Sequence, residues 1–300
     1  MAPSDFIAVL ANPSAGRGRH RGLLPGVVEA LAVSGRDVRL LVAGSGIEAE
    51  AVCHEAVADG AAAVVAVGGD GTVHRVLQAV AGTEVAFGVV PAGTGNDFAT
   101  SVGVPQQPLR AAEGIGRALR DQRDHRFDLA RTEDGHGERR WFGAVLAAGF
   151  DALINERANR MRWPRGPRRY DLAILLELAR ARARRYTLHL DGEVYTFDAE
   201  VVAVGNCPTY GGGMRIVPDA DPADGLLDVV FTSPLGRGGL ARLKPRLRAG
   251  THVTDPRVTV RQARTVRIEA EGIVGYADGE RFGPLPLEVR CVPGAIRLLR

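Results

Sequence analysis

Residues 6–90 alternate between short apolar runs and stretches whose apolar positions recur at helical spacing. Residues 6–10 are apolar throughout, after which Leu23, Leu24, Val27, Val28 and Leu31 mark one face of a helix. The same signals repeat as strands over 38–42, 62–67 and 85–90 and helices over 48–58 and 73–80. Continuous apolar strands separated by amphipathic helices predict a parallel sheet covered on both faces, with ligands beyond the carboxyl ends of its strands.

A polar, helix-like stretch over 109–120 closes this region, and from Phe127 the pattern changes. Strands are predicted over 127–132, 141–148, 186–190, 194–197, 200–204, 226–231, 258–260 and 266–269, with turns such as Asp191-Gly192 between them. Many short strands of alternating character favour an antiparallel sandwich. One helix interrupts it, over 171–185, with Leu172, Leu175, Leu176 and Leu178 among its apolar positions and arginines massed at its end. The chain is thus expected to be α/β in two domains, 1–125 and 126–300, the last strand being free to return to the first domain.

Composition narrows the function classes. Three hundred residues with 45% apolar and 24% charged suit two ordinary domains and exclude a disordered or fibrous chain. No run approaches the roughly 18 to 20 apolar residues that span a bilayer, so no transmembrane segment is expected. Residues 1–16 lack the parts of an export signal. Cys53, Cys207 and Cys291, odd in number and far apart, exclude a disulfide framework and fit a reducing, cytoplasmic setting.

Charge changes the picture further. Of 38 basic residues only Lys244 is lysine, and no glycine-rich loop adjoins it, which excludes a Walker P-loop or a protein-kinase phosphate lysine. Phosphate would have to be handled by backbone amides, arginine and metal. Residues 157–185 hold ten arginines against Asp171 and Glu177, and residues 237–267 hold nine basic residues against Asp255. Each segment is locally +8 on a chain of net +3, so the remainder carries −13. Such segments point to anionic lipid headgroups or nucleic acid, or are simply solvated arginine-rich faces. Nucleic acid is the lesser option, because no aromatic platform accompanies the basic runs.

Three loops carry candidate chemistry. Gly68, Gly69, Asp70, Gly71, Thr72 and Val73 run from a strand into a helix start, where backbone amides can meet phosphate oxygens. Asp70 in such an anion site makes sense as a metal holder or a proton acceptor, or more plainly as a helix cap. Pro91 to Phe98 forms a second glycine loop, with Thr94 and Asp97, and Asn12, Pro13, Ser14, Ala15, Gly16 and Arg17 form a third. Loops leaving separate strands can meet at one rim and cradle a nucleotide.

In order and spacing, Asn-Pro-Ser-Ala-Gly-Arg, Gly-Gly-Asp-Gly-Thr and Gly-Thr-Gly-Asn-Asp-Phe resemble the bacterial diacylglycerol kinase and sphingosine kinase-like lipid kinases. Gly-Gly-Asp-Gly-Thr is shared with NAD kinases and, more loosely, phosphofructokinases, whereas Gly-Thr-Gly-Asn-Asp-Phe-Ala points to the lipid branch. Gly205-Asn206, Tyr210 to Gly213, Pro218-Asp219-Ala220, Asp224 to Val229 and Ala277-Asp278-Gly279-Glu280 also look like family landmarks.

The resemblance implies an NAD kinase-like parallel-sheet domain followed by an antiparallel β-sandwich, and an ATP-dependent kinase acting on a lipid, most simply diacylglycerol giving phosphatidic acid. ATP would lie on Asn12 to Gly16, Gly68 to Val73 and Thr94. Glu280 matches a proposed general base, a role for which Asp70 competes. Asp70 would help place a catalytic Mg²⁺, and Asp128 matches an acid reaching that metal through water. A structural Mg²⁺ would take Asp224, with carbonyl-type ligands near Asp221 and Leu226.

A peripheral place at an anionic membrane surface follows for the arginine-rich helix and Trp163, and a homodimer is left open. The chain departs from the family at His74-Arg75, often Asn-Glu, at Thr100, commonly basic, and near Ala43 and Ser45, where a threonine is usual. These departures keep a catalytically inactive lipid- or nucleotide-binding protein as an alternative, beside a soluble-substrate kinase of the NAD kinase type.

Overall fold

The apolar runs of the amino-terminal half become strands buried on both faces. In the computed structural model of the chain, which describes residues 6–11, 22–134, 136–161, 163 and 167–300, these are β1 (Phe6–Ala11), β2 (Asp37–Leu41), β3 (Ala63–Gly68) and β4 (Ala86–Pro91). Between and after them lie α1 (Leu24–Ala32), α2 (Gly46–Ala58), α3 (Asp70–Val80), α4 (Asp97–Ser101) and α5 (Pro108–Arg120). Contacts divide the chain into two units, the first being Met1–Leu129, Pro222–Asp224 and Val292–Arg300, the second Ala130–Asp221 and Gly225–Cys291.

In the first unit the strand order is β2-β1-β3-β4, all parallel, and the end of the last strand, β16 (Leu287–Leu299), adds beside β4, also parallel. The chain leaves β1 toward one edge and β3 toward the other, so the crevice favoured by ligands lies at the carboxyl ends of these strands. Every residue of β3 and β4 is buried. Ile7, Val9, Val65, Val67 and Val90 pack on one face against Val27 and Leu31 of α1 and Ala112 and Ile115 of α5. Helix α2 begins at Ser45, whose side chain accepts the Glu48 amide while the Glu48 carboxylate accepts that of Gly44.

The second unit holds two sheets. After β5 (His125–Glu133), which starts in the first unit, come β6 (Arg139–Phe142), β7 (Val145–Ala147), α6 (Phe150–Arg160), α7 (Pro167–Arg180), β8 (Arg184–Leu190), β9 (Glu193–Ala199), β10 (Val202–Gly205) and β11 (Leu227–Thr232). Then follow α8 (Gly236–Ala249), β12 (Val258–Ala263), β13 (Thr265–Glu269), β14 (Val274–Ala277) and β15 (Glu280–Pro284). One sheet runs β16-β13-β8-β9 and the other β12-β11-β10-β7-β14-β15, with antiparallel pairing throughout. Leu146, Val204, Val229, Leu188, Val266 and Val289 join one core from both sheets. The Tyr186 hydroxyl donates to the Ala148 carbonyl at 2.8 Å, and Phe197 stacks on Phe231 with centroids 4.4 Å apart.

Several elements differ from the sequence reading. Residues 141–148 form two strands, because the Gly143 and Ala144 amides turn to the Asp278 carboxylate instead of the ladder. The helix expected over 171–185 runs over Pro167–Arg180, and Arg184 and Arg185 already belong to β8. Glu200 lies outside β10, since its carboxylate accepts the Leu235 and Gly236 amides at the start of α8. Helices α6 and α8 and strands β14 to β16 add to the expected set.

Where α1 crosses α5, a Cβ on Gly116 would stand 2.4 Å from the Ala30 carbonyl oxygen, whereas one on Gly114 meets nothing nearer than 3.4 Å. Gly116→Ala is therefore expected to destabilise the chain by about 2 kcal/mol or more, despite the better helix propensity of alanine. Gly114→Ala should stay within about 1 kcal/mol of the parent. Urea unfolding followed by circular dichroism distinguishes the two, and equal stabilities would contradict the close crossing.

Candidate active site

Two of the three candidate loops leave the adjacent parallel strands β3 and β4, whose ends are in register at Gly68 and Pro91. The Ala92 amide donates to the Gly68 carbonyl at 2.8 Å, extending the pairing by one step. Beyond it the loops touch backbone to backbone: a Cβ on Gly93 would lie 2.4 Å from Gly69 Cα, and one on Gly69 would lie 3.0 Å from Gly93 Cα. Only glycine permits that approach.

Side chains then close the second loop on itself and tie it to the first. Asn96, with φ of 55°, accepts the Gly93 amide at 3.0 Å and donates from Nδ2 to the Gly93 carbonyl. Asp70, the first residue of α3, accepts the Phe98 amide at 3.3 Å. Asp70 thus braces one loop to the other; it is not the cap of its own helix, a position held by Gly69 with no side-chain cap bond. Thr72 and Val73 are buried, and their amides donate to the Gly69 carbonyl. Gly71 and Thr94 are exposed, Gly69, Asp70 and Gly95 half-buried, and Asp97 is buried at the start of α4. Asn12, Pro13, Ser14, Ala15, Gly16 and Arg17 lie outside the described residues.

Asp128 is buried in β5. Its Oδ1 accepts the Gly294 amide at 2.7 Å, and its own amide donates to the Pro222 carbonyl at 2.8 Å. The departures from the family pattern also acquire partners. His74 is buried on α3 within reach of Gln78, Arg75 pairs with Glu50 of α2, and the Thr100 hydroxyl donates to the Asn96 carbonyl.

In the second unit Glu280 opens β15, opposite Ala277 and half-buried. The two residues between, Asp278 and Gly279, have φ of 52° and 85°, the backbone of a tight hairpin turn. Asp278 is no exposed turn acid: its two oxygens accept the Gly143 and Ala144 amides, each at 2.9 Å. Asp221 is exposed and Leu226 half-buried there, while Asp224, exposed, belongs to the first unit. Among the described residues no three His, Cys, Asp or Glu side chains group so as to hold a metal by themselves.

The sequence reading gave no role to Asp151, on the first turn of α6. Its carboxylate accepts the Tyr210 hydroxyl at 2.5 Å, which ties α6 to the Tyr210-to-Gly213 landmark. The sequence carried that landmark as a triple glycine, but nothing marked Asp151 as its partner. Burial raises the Asp151 carboxyl above its ordinary 3.8, opposed in part by the Tyr210 bond. The folded chain therefore holds this proton more tightly than the unfolded one, and the contribution to stability falls as pH rises from about 3.8 through the raised value. Asp151→Asn should gain on the parent over that interval in urea titrations. A difference that is flat with pH would exclude a raised Asp151 carboxyl.

A model of the diacylglycerol kinase catalytic domain matches residues 7–132, and one of the YegS C-terminal NAD kinase beta sandwich-like domain matches residues 144–300. The chain is 42% identical over 295 residues to a diacylglycerol kinase of Mycobacterium tuberculosis (strain CDC 1551 / Oshkosh), covering 98% of this chain and 94% of the relative. It is 30% identical to a "Probable lipid kinase YegS-like" of Stenotrophomonas maltophilia (strain K279a), over 84% of this chain and 82% of that one. A crystal structure from Bacillus anthracis str. Sterne matches the fold with a TM-score of 0.79 at 23% identity, covering 100% of this chain and 98% of its own. Catalytic and sandwich matches in this order, with 42% identity across nearly the whole chain, make it a member of the diacylglycerol kinase family of lipid kinases.

Proposed function

We propose that the protein transfers the γ-phosphate of ATP to a lipid hydroxyl, with diacylglycerol as acceptor and phosphatidic acid as product. The observation that carries this reading is the pair of abutting glycine loops with Asp70 braced between them. Phosphoryl transfer needs positioned donors and charge neutralisation more than covalent chemistry. Loop amides, an exposed Thr94 and the Asn12-to-Arg17 segment suit the triphosphate, and none of them requires lysine.

Glu280 is assigned the proton of the acceptor hydroxyl, a task that suits a carboxylate on a pinned hairpin. Asp70 is assigned the charge balance at the nucleotide. Asp70 and Asp128, both oriented by backbone amides, offer the hard oxygen ligands that Mg²⁺ takes, as does the carboxylate of Asp224. When bound, Mg²⁺ supplies charge neutralisation on the phosphates.

Among the described residues no helix is long and apolar enough to cross a membrane. Peripheral contact with an anionic membrane surface is supported by Trp163, 78% exposed, and by Tyr170, Leu175 and Leu176 exposed on α7.

The test incubates the protein with γ-labelled ATP, Mg²⁺ and mixed micelles of diacylglycerol, with NAD in parallel, and counts organic and aqueous phases. Label is expected in the organic phase. Asp70→Asn keeps an acceptor for the Phe98 amide, so it should fold like the parent yet lose activity by about 100-fold or more, as should Glu280→Gln. Label found only on NAD would move the protein to a soluble-substrate branch.

A further inference from the structure

Within the second unit, α6, α7 and the starts of β8 and α8 line a groove of about 700 Å³. Six arginines face it: Arg157, Arg160, Arg180, Arg182, Arg184 and Arg237. Its two carboxylates are engaged, Glu177 with Arg157, and Glu156 with Arg160 and the Tyr276 hydroxyl. Among the described residues Arg180, Arg182, Arg184 and Arg237 pair with no carboxylate, so the groove keeps a formal +4 from six arginines and two glutamates. Arg184 shows the strongest demand: its Nη1 donates to the Glu271 carbonyl at 3.4 Å, while its Nε is buried with no hydrogen-bond partner.

A buried donor without an acceptor is costly, and so are several like charges around one groove. An anion with several oxygens relieves both. Guanidinium forks match a phosphomonoester, whose oxygens they bind in pairs. The remaining walls, Leu153, Met161 and Ala179, are apolar, and α7 exposes Leu175 and Leu176, surfaces for which a free phosphate has no use but a lipid does.

We infer that this groove binds the phosphomonoester headgroup of a lipid, through residues that take no part in the proposed transfer. The choice of a lipid over free phosphate rests on the lipid-kinase reading. Under that reading the headgroup is that of the product, so an occupied groove retains the enzyme where its product has accumulated.

Flotation of the full chain tests this with phosphatidylcholine vesicles, alone or carrying phosphatidic acid or, at equal charge, phosphatidylserine. Phosphatidic acid is expected to recruit more protein than phosphatidylserine, and excess inorganic phosphate should leave most of it bound. Arg182 and Arg237 are exposed, so substitutions there spare the core, which thermal melts would verify. Arg182→Gln with Arg237→Gln should weaken binding to phosphatidic acid about tenfold, and the double lysine variant, which keeps charge but loses the fork, should weaken it similarly.

Equal recruitment by phosphatidylserine, or undiminished binding of either double variant, would overturn the assignment. Full release by inorganic phosphate would overturn the lipid as its source. Transfer of label to lipid without preference for phosphatidic acid would sink the groove alone. Preference for phosphatidic acid without transfer would sink the kinase reading alone.

Discussion

Two backbones meet where Gly69 faces Gly93, and that contact sets the geometry of everything around the two glycine loops. Parallel pairing of β3 with β4 brings the strand ends side by side, and a side chain on either glycine would drive the loops apart. The surrounding hydrogen bonds each contribute only about 1 kcal/mol. They work as a set because the close approach has already placed their partners: Asn96 closes the second loop on Gly93, and Asp70 reaches across to the Phe98 amide. A carboxylate held in this way is tied to both loops at once. Such preorganisation is what phosphoryl transfer asks of its charged groups.

The second unit uses aspartate for a related purpose. Two of its Asp-Gly hairpins have both residues in the left-handed region, Asp191 and Gly192 at 48° and 97°, Asp278 and Gly279 at 52° and 85°. In each the carboxylate leaves its own turn to accept two consecutive backbone amides of a neighbouring segment, Arg264 and Thr265 for Asp191, Gly143 and Ala144 for Asp278. The turn residue thereby fixes the hairpin's position as well as its shape. Glu280 inherits that rigidity as the residue immediately after the second turn.

How much was legible in the sequence follows from which signals are local. The buried strands of the parallel sheet announce themselves as apolar runs, and the glycine loops as strand-to-helix junctions, so fold class and the places of these loops could both be read. Helix α6 could not, because its buried positions are only Ala152, Ile154 and Ala158 among polar residues. Helix α8 was hidden by Gly236, Gly238, Gly239 and Pro245, with only Leu240, Leu243 and Leu247 buried. The roles of Asp278 and Asp151 depend on partners more than 50 residues away in sequence, which no periodicity encodes.

The departures from the family pattern on α3 are where an inactive protein would have shown itself, and their surroundings argue otherwise. His74 is fully buried on the inner face of the helix, away from solvent. The positive charge added by Arg75 is met by Glu50 of α2, with the two side chains only 22% and 27% exposed, so salt screens the pair weakly. The Arg75 guanidinium also packs against the start of α2, where a Cβ on Gly46 would lie 3.1 Å from its Nε. The exchange is therefore balanced within the α2 and α3 layer. Asp70, on the same helix four residues before His74 and five before Arg75, keeps its bond to the Phe98 amide, so the loop that the helix supports is intact.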